Sequence, residues 1–144
     1  MNAILRNALL LLTAGLLASN VAVAGKEIVP EFVDGTVRVS AEEVIGLVEE
    51  LPNLVIIDSR KSSDHRKGFI EGSVAMPNTE TDAKSLRKHA SSKSTPLLFY
   101  CNGIRCGRSV KAAKIAMANG YKKIYWFRGG VEEWEAKGLP LVRP

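Results

Sequence analysis

The chain has 144 residues, with 20 Lys or Arg against 15 Asp or Glu, two cysteines and two histidines. Its net charge of +5 is spread along the sequence without a long basic run. This argues against a nucleic-acid partner, because such proteins cluster Lys and Arg on one face. The cysteines and histidines do not follow a zinc-binding spacing, so no metal site is expected.

The first 24 residues differ in composition from the rest of the chain. Arg6 is their one charged residue, an apolar run covers 8–18, and small residues lead up to Ala24. This order is typical of a secretory signal peptide, so we expect cleavage after Ala24 and a secreted, periplasmic protein. An uncleaved membrane anchor is the alternative, but the apolar run is short for a bilayer span. No stable membrane insertion is therefore expected after cleavage.

The remainder of the chain is long enough for one domain and too short for two. We expect an N-terminal arm over 25–38, ending in a short strand near Thr36. Ser40 and Glu43 form a predicted capping box that opens a helix ended by Pro52. A buried strand is predicted over 54–57, and the polar residues 61–67 predict a loop or one exposed helical turn.

The second half of the chain continues the alternation of strands and helices. A polar helix is predicted over 79–90, capped near Thr79 with Ala83 and Leu86 facing inward. Short strands are predicted over 74–76, 97–100 and 123–127, a helix ending at Gly120 between the last two, and a final helix over 131–137 stopped by Gly138. Alternation of this kind predicts an α/β fold with a parallel sheet and helices on both faces.

Both cysteines lie in the loop between the strand over 97–100 and the following helix. Ligands of open parallel sheets bind beyond the carboxyl ends of the strands, and loop N–H groups next to a helix N-terminus favour an anion. Arg105 and Arg108 add positive charge, which should lower the pKa of the Cys101 thiol and make it a nucleophile. The alternative is a buried, inert cysteine. Residues 58–60 and 128–130 follow other strands and are expected to converge on the same site.

Five segments in this order carry a resemblance to a known family: VIIDSR, DHRKGFIEGSVAMPN, LLFYC, RSVKAAKIAMANGY and IYWFRGGVEEWEAKGLPL. Together they resemble the rhodanese-like (sulfurtransferase) family, and they place the rhodanese-like domain over 39–144. The resemblance implies a five-stranded parallel sheet flanked by helices on both faces, in agreement with the alternation above.

The resemblance also implies a reaction that needs no cofactor. Cys101 would take the outer sulfur of thiosulfate or a related small anionic donor as a persulfide, and pass it to cyanide or to a thiol, including a thiol of a partner protein. Asp58 and Arg60 match the family's D-x-R and are interpreted as support for the site, with Arg60 pairing with Asp64. The loop would bind the donor through its amides and cations, over Asn102, Gly103, Ile104, Arg105, Cys106, Gly107 and Arg108.

Three departures from the family pattern leave alternatives open. The loop holds two more residues before Arg108 than C-x-x-G-x-R-S does, so a cysteine-dependent phosphatase or arsenate reductase is also considered, and either Arg105 or Arg108 could face the substrate. Cys106 could close a disulfide with Cys101, act as a resolving thiol or stay unpaired, which keeps a dithiol redox domain or a non-catalytic sulfur carrier as further alternatives. Phe69 stands where the family often has His.

His65 and His89 are interpreted as lone exposed histidines.

Overall fold

The structure is a computed structural model that describes residues 29–144, so the predicted signal peptide lies outside the described residues. Strands and helices alternate along this part of the chain, and none of its helices is long and apolar enough to cross a membrane. The elements are β1 (Val37–Arg38), α1 (Ala41–Glu50), β2 (Val55–Asp58), α2 (Ser62–His65), β3 (Val74–Ala75), α3 (Ala83–His89), β4 (Leu97–Tyr100), α4 (Arg108–Ala118), β5 (Ile124–Phe127) and α5 (Gly130–Ala136).

The strands form one parallel sheet in the order β1-β5-β4-β2-β3. Alternate residues of each central strand face opposite sides, as the period of two requires. Phe99 packs with Leu86 of α3 and Ala113 of α4 on one face, whereas Leu98 packs with Val44 of α1 and Trp134 of α5 on the other. The predicted α/β fold, with helices on both faces, is confirmed.

The first residues of helices α1 and α3 are set by capping residues in the local sequence. Ser40 caps α1 as predicted, because its Oγ accepts from the Glu43 N–H (3.3 Å) and Glu43 Oε2 accepts from the Ser40 N–H (2.7 Å). The prediction that Thr79 caps α3 is wrong. Asp82 is the cap, since its carboxylate accepts from two first-turn amides at 2.8 Å. Leu86 is buried as predicted.

The N-terminal arm packs on the domain. Val29 and Val33 are buried against Trp126 of β5 and Val110 of α4. Arg128 donates from Nε to the carbonyl of Pro30 in the arm (3.0 Å). Of the segment 128–130, which is predicted to converge on the cysteine loop, Gly130 lies against the Cys101 carbonyl. The Arg128 side chain does not join it, because its guanidinium group donates to the arm's carbonyl groups.

Candidate functional site

The cysteine loop begins where β4 ends and is fixed by the first turn of α5. Cys101 is 2% exposed, and its carbonyl accepts from the Val131 N–H (3.0 Å). The Asn102 carbonyl accepts from the Glu132 N–H (2.8 Å), and within the loop Cys106 N–H donates to the Gly103 carbonyl (3.0 Å). The loop is therefore anchored at its buried end by α5 and braced by its own turn.

The close approach of α5 to the loop depends on Gly130. Its φ is +56°, and a Cβ built there would overlap the carbonyl oxygen of Cys101. Backbone atoms cannot rotate aside as a side chain can. A side chain at position 130 would thus force the loop and α5 apart.

We expect Gly130→Ala to destabilise the protein by more than the cost of a positive φ alone, which is about 1–2 kcal/mol. Gly138→Ala is the matched control, because Gly138 has a φ of +70° and a Cβ there would meet nothing within 4 Å. Chemical denaturation of both variants measures the difference. Equal losses of unfolding free energy would show that the contact of Gly130 with Cys101 does not matter.

A cleft of about 570 Å³ opens beside the loop. Three cationic side chains line it, those of Arg105, Arg108 and Lys111, with Glu132 as the one acidic group among its lining residues. Gly107 occupies the N-cap of α4, so no side chain hydrogen-bonds to the first-turn amides of that helix. Free amides at a helix N-terminus together with three cations favour a small anion in this cleft.

The structure brings most of the predicted loop residues to the cleft. Asn102, Gly103, Arg105, Cys106, Gly107 and Arg108 line it. Ile104, which is half-exposed, and Cys101, which is buried, are not among the residues that line it. Four further residues that the sequence did not indicate also line the cleft: Asn78, Thr79, Lys111 and Glu132. Lys111 follows Arg108 by three residues on α4, a spacing that places both side chains on one helix face and could have indicated it.

The two cysteines are joined as a disulfide, with their Cα atoms 6.1 Å apart. Of the alternatives that the sequence leaves open for Cys106, the structure therefore shows the paired one. The two sulfurs differ in access, because Cys101 is buried while Cys106 is half-buried and lines the cleft. A disulfide sulfur is not a thiolate nucleophile, so Cys101 can act as one only after the bond is reduced.

A buried hydrogen-bond network lies at the end of β2, next to the start of the loop. The Asp58 carboxylate, with no exposed surface, accepts from Arg60 Nη2 (2.6 Å), His65 Nδ1 (2.9 Å) and the Tyr100 hydroxyl (2.9 Å). Burial raises the pKa of Asp58, but the hydrogen bonds from Arg60 and His65 and the guanidinium charge outweigh it, so the pKa falls below its ordinary value. Since Tyr100 directly precedes Cys101, this network fixes the strand end from which the loop departs.

The same cluster corrects two predictions. Arg60 pairs with Asp58 and not with Asp64, because the Arg60 N–H also donates to Asp58 Oδ1 (3.0 Å), which turns the guanidinium back onto that carboxylate. Asp64 instead pairs with Lys67 at 3.5 Å. His65 is not a lone exposed histidine, since it binds Asp58 and stacks on Phe69 with ring centroids 4.0 Å apart.

The sheet order and the cysteine loop between β4 and α4 define an α/β domain with an anion-binding cleft at its strand ends. Residues 40–137 match the profile of the Rhodanese-like domain, so the chain belongs to the rhodanese-like domain family. The family resemblance found in the sequence is thereby confirmed.

Three individual proteins similar to this chain share 18–30% sequence identity with it. The chain is 30% identical to the uncharacterized protein YibN of Escherichia coli (strain K12) over 90 residues, which cover 62% of this chain and 61% of that protein, less than two thirds of its length. The crystal structure of BH2092 from Bacillus halodurans matches with a TM-score of 0.66 and 18% identity, over 75% of this chain and 77% of that one. The polysulfide-sulfur transferase of Wolinella succinogenes matches with a TM-score of 0.60 and 23% identity, over 76% and 80%. Because the two structures are less than 25% identical to this chain, they show only that it shares their fold.

Proposed function

We propose that the protein is a sulfurtransferase that carries sulfane sulfur as a persulfide on Cys101. The observation that carries this proposal is the position of Cys101: it directly follows β4 and begins the loop whose later residues, with three cationic side chains, line a cleft at the uncapped first turn of α4. The neighbour from Wolinella succinogenes, whose name gives it a polysulfide-sulfur transferase activity, supports the reaction class. Thiosulfate or a related anion is the donor, and cyanide, a small thiol or a protein thiol is the acceptor.

The reaction starts from the reduced dithiol. The Cys101 thiolate attacks the outer sulfur of thiosulfate, the sulfur–sulfur bond of the donor breaks, and sulfite leaves with the bonding electrons. In this reaction Arg105, Arg108 and Lys111, which line the cleft, bind the anionic donor and the departing sulfite. The acceptor thiolate or cyanide then attacks the terminal sulfur of the persulfide, which returns Cys101 as a thiolate.

Donor preference separates this reaction from the chemistry of other cysteine-loop enzymes. The reduced protein is incubated in parallel with thiosulfate and cyanide, with a phosphate ester and with arsenate. We expect thiocyanate from the first mixture, and neither phosphate release nor arsenite from the others. Hydrolysis of the phosphate ester or reduction of arsenate without thiocyanate formation would overturn the proposal and favour the phosphatase or arsenate reductase alternative.

The cleft cations should act on donor binding. Arg108 is half-buried at the first turn of α4, so we expect Arg108→Gln to raise the KM for thiosulfate about tenfold, the effect of losing one charged hydrogen bond. Arg105→Gln should have a smaller effect that disappears at high salt, because Arg105 is exposed and screened. Lys114→Gln is the control, since it removes the same charge from an exposed position of α4 that is not among the residues lining the cleft. If the KM rises equally in all three variants, the effect comes from the loss of one positive charge and not from the position of that charge in the cleft.

We also propose that the protein works outside the cytoplasm, after removal of residues 1–24. A disulfide persists in an oxidising compartment, which agrees with the Cys101–Cys106 bond. Fractionation of cells that express the full-length chain, followed by mass spectrometry, should find a periplasmic protein beginning at Gly25. A cytoplasmic protein that retains Met1 or Asn2 would contradict this proposal.

A further inference from the structure

Transfer of sulfur from Cys101 to an external acceptor leaves the second cysteine, Cys106, without a role. Cys106 lies close enough to Cys101 for the two sulfurs to bond directly within the loop between β4 and α4. A sulfurtransferase that passes its sulfur to an outside acceptor needs only one of these thiols. The second thiol is therefore placed to act on the first.

We propose that Cys106 discharges the Cys101 persulfide itself, releasing hydrosulfide and closing the disulfide. This inference rests on the proposed function, because it starts from the persulfide. It gives the domain a further activity: dithiol-dependent reduction of the sulfane sulfur of thiosulfate to sulfide.

The step balances without any added oxidant. The Cys106 thiol loses its proton, and its sulfur attacks Cys101 Sγ. The bond between Cys101 Sγ and the outer sulfur breaks, and that sulfur takes the electron pair and the proton and leaves as hydrosulfide. The two thiols are oxidised by two electrons to the disulfide, and the sulfane sulfur is reduced by two electrons. Together with loading, one dithiol and one thiosulfate yield one disulfide, one sulfite and one hydrosulfide.

The direct bond between the two cysteine sulfurs matches the product of only one of the two attacks that Cys106 could make on the persulfide. Attack on the outer sulfur would move the persulfide to Cys106 and leave the cysteine sulfurs separated by one atom. Attack on the inner sulfur gives the directly bonded pair that the structure contains. Because Cys101 is 2% exposed, a thiol from solution reaches this inner sulfur far less readily than Cys106 does.

The difference in exposure between the two cysteines also accounts for the reduction of the disulfide back to the dithiol. A dithiol reductant approaching through the cleft meets Cys106, which lines it, and not the buried Cys101. Attack on Cys106 Sγ makes Cys101 the leaving group, so the nucleophile is regenerated directly as a thiolate. Small dithiols or a dithiol protein fit this role by chemical class.

A single-turnover experiment tests the inference on the full-length protein. The protein is reduced, freed of reductant, and mixed with thiosulfate in the absence of cyanide and thiols, and sulfite, hydrosulfide and intact mass are measured. The wild type should release one equivalent each of sulfite and hydrosulfide and return to the disulfide mass. Cys106→Ser keeps the backbone amide of the loop, and should release sulfite but no hydrosulfide while holding one extra sulfur.

The outcomes separate this inference from the proposed function. Sulfite without hydrosulfide from the wild type, with the extra sulfur retained on Cys101 or found on Cys106, would overturn the inference and leave sulfur loading intact. Hydrosulfide released equally by the wild type and by Cys106→Ser would overturn it as well. The absence of sulfite from both proteins would overturn the proposed function itself.

Discussion

Asp58→Asn is expected to lower the free energy of unfolding by about 3–5 kcal/mol, the usual cost of breaking a buried ion pair by removing one partner. Asp58 and Arg60 are 0% and 5% exposed as side chains, so the guanidinium left behind has little access to water. The same carboxylate also accepts from His65 and Tyr100, and the amide of asparagine cannot replace all of these bonds. Equilibrium denaturation of the reduced proteins, which removes any contribution of the disulfide, measures the loss.

Asp64→Asn is the matched control for this prediction. It makes the same chemical change six residues later, but Asp64 pairs with Lys67, whose side chain is 79% exposed, at 3.5 Å. Surface pairs of this kind contribute about 0–1 kcal/mol. A large loss from Asp64→Asn together with a small loss from Asp58→Asn would contradict the pairing seen in the structure.

The same pair predicts how stability depends on pH. Because the pKa of Asp58 in the folded protein lies below its ordinary value of 3.8, its contribution is present above that pH and is lost as the pH falls through the folded pKa. The wild type should therefore lose stability more steeply than Asp58→Asn when the pH is lowered from about 5 to about 2. Thermal unfolding across this range measures both slopes, and parallel slopes would exclude Asp58 as the group responsible.

Cys101→Ser is expected to lower thiocyanate formation from thiosulfate and cyanide by at least about 10³-fold, since removing the nucleophile of a covalent mechanism removes most of the catalysis. A serine hydroxyl stays protonated at neutral pH and cannot form a persulfide. The reduced proteins are compared by the colorimetric assay of thiocyanate. The unfolding free energy is measured alongside, so that a loss of activity is not confused with a loss of folding.

The second cysteine supplies the control for this variant. Cys106→Ser loses the same disulfide as Cys101→Ser, but it keeps the sulfur at the end of β4. We therefore expect thiocyanate formation to remain measurable in Cys106→Ser and not in Cys101→Ser. The reverse result would assign the sulfur-carrying role to Cys106.

Features set by local sequence were predictable. The capping box of Ser40 and Glu43 and the fully buried strand Leu97–Tyr100 follow from neighbouring residues, and the structure has both. The position of Cys101 at a strand end follows from the strand itself. The parallel sheet then follows from the alternation of elements, because few topologies satisfy it.

Features that depend on contacts between distant segments were not predictable in the same way. Arg60 has a carboxylate two residues before it and another four residues after it, and its choice of Asp58 depends on burial and on the turn at the end of β2. Arg128 is held by the arm, more than ninety residues away. The disulfide depends on the path of a loop whose length departs from the family pattern.

Intact-mass analysis of Cys106→Ser after exposure to thiosulfate tests the central claim most directly, because this variant can neither close the disulfide nor discharge a persulfide through a second thiol. We predict a gain of one sulfur atom, located on Cys101 by peptide mapping and removed by cyanide as thiocyanate. An unchanged mass after thiosulfate and after polysulfide, in a folded protein whose Cys101 still reacts with alkylating agents, would contradict it.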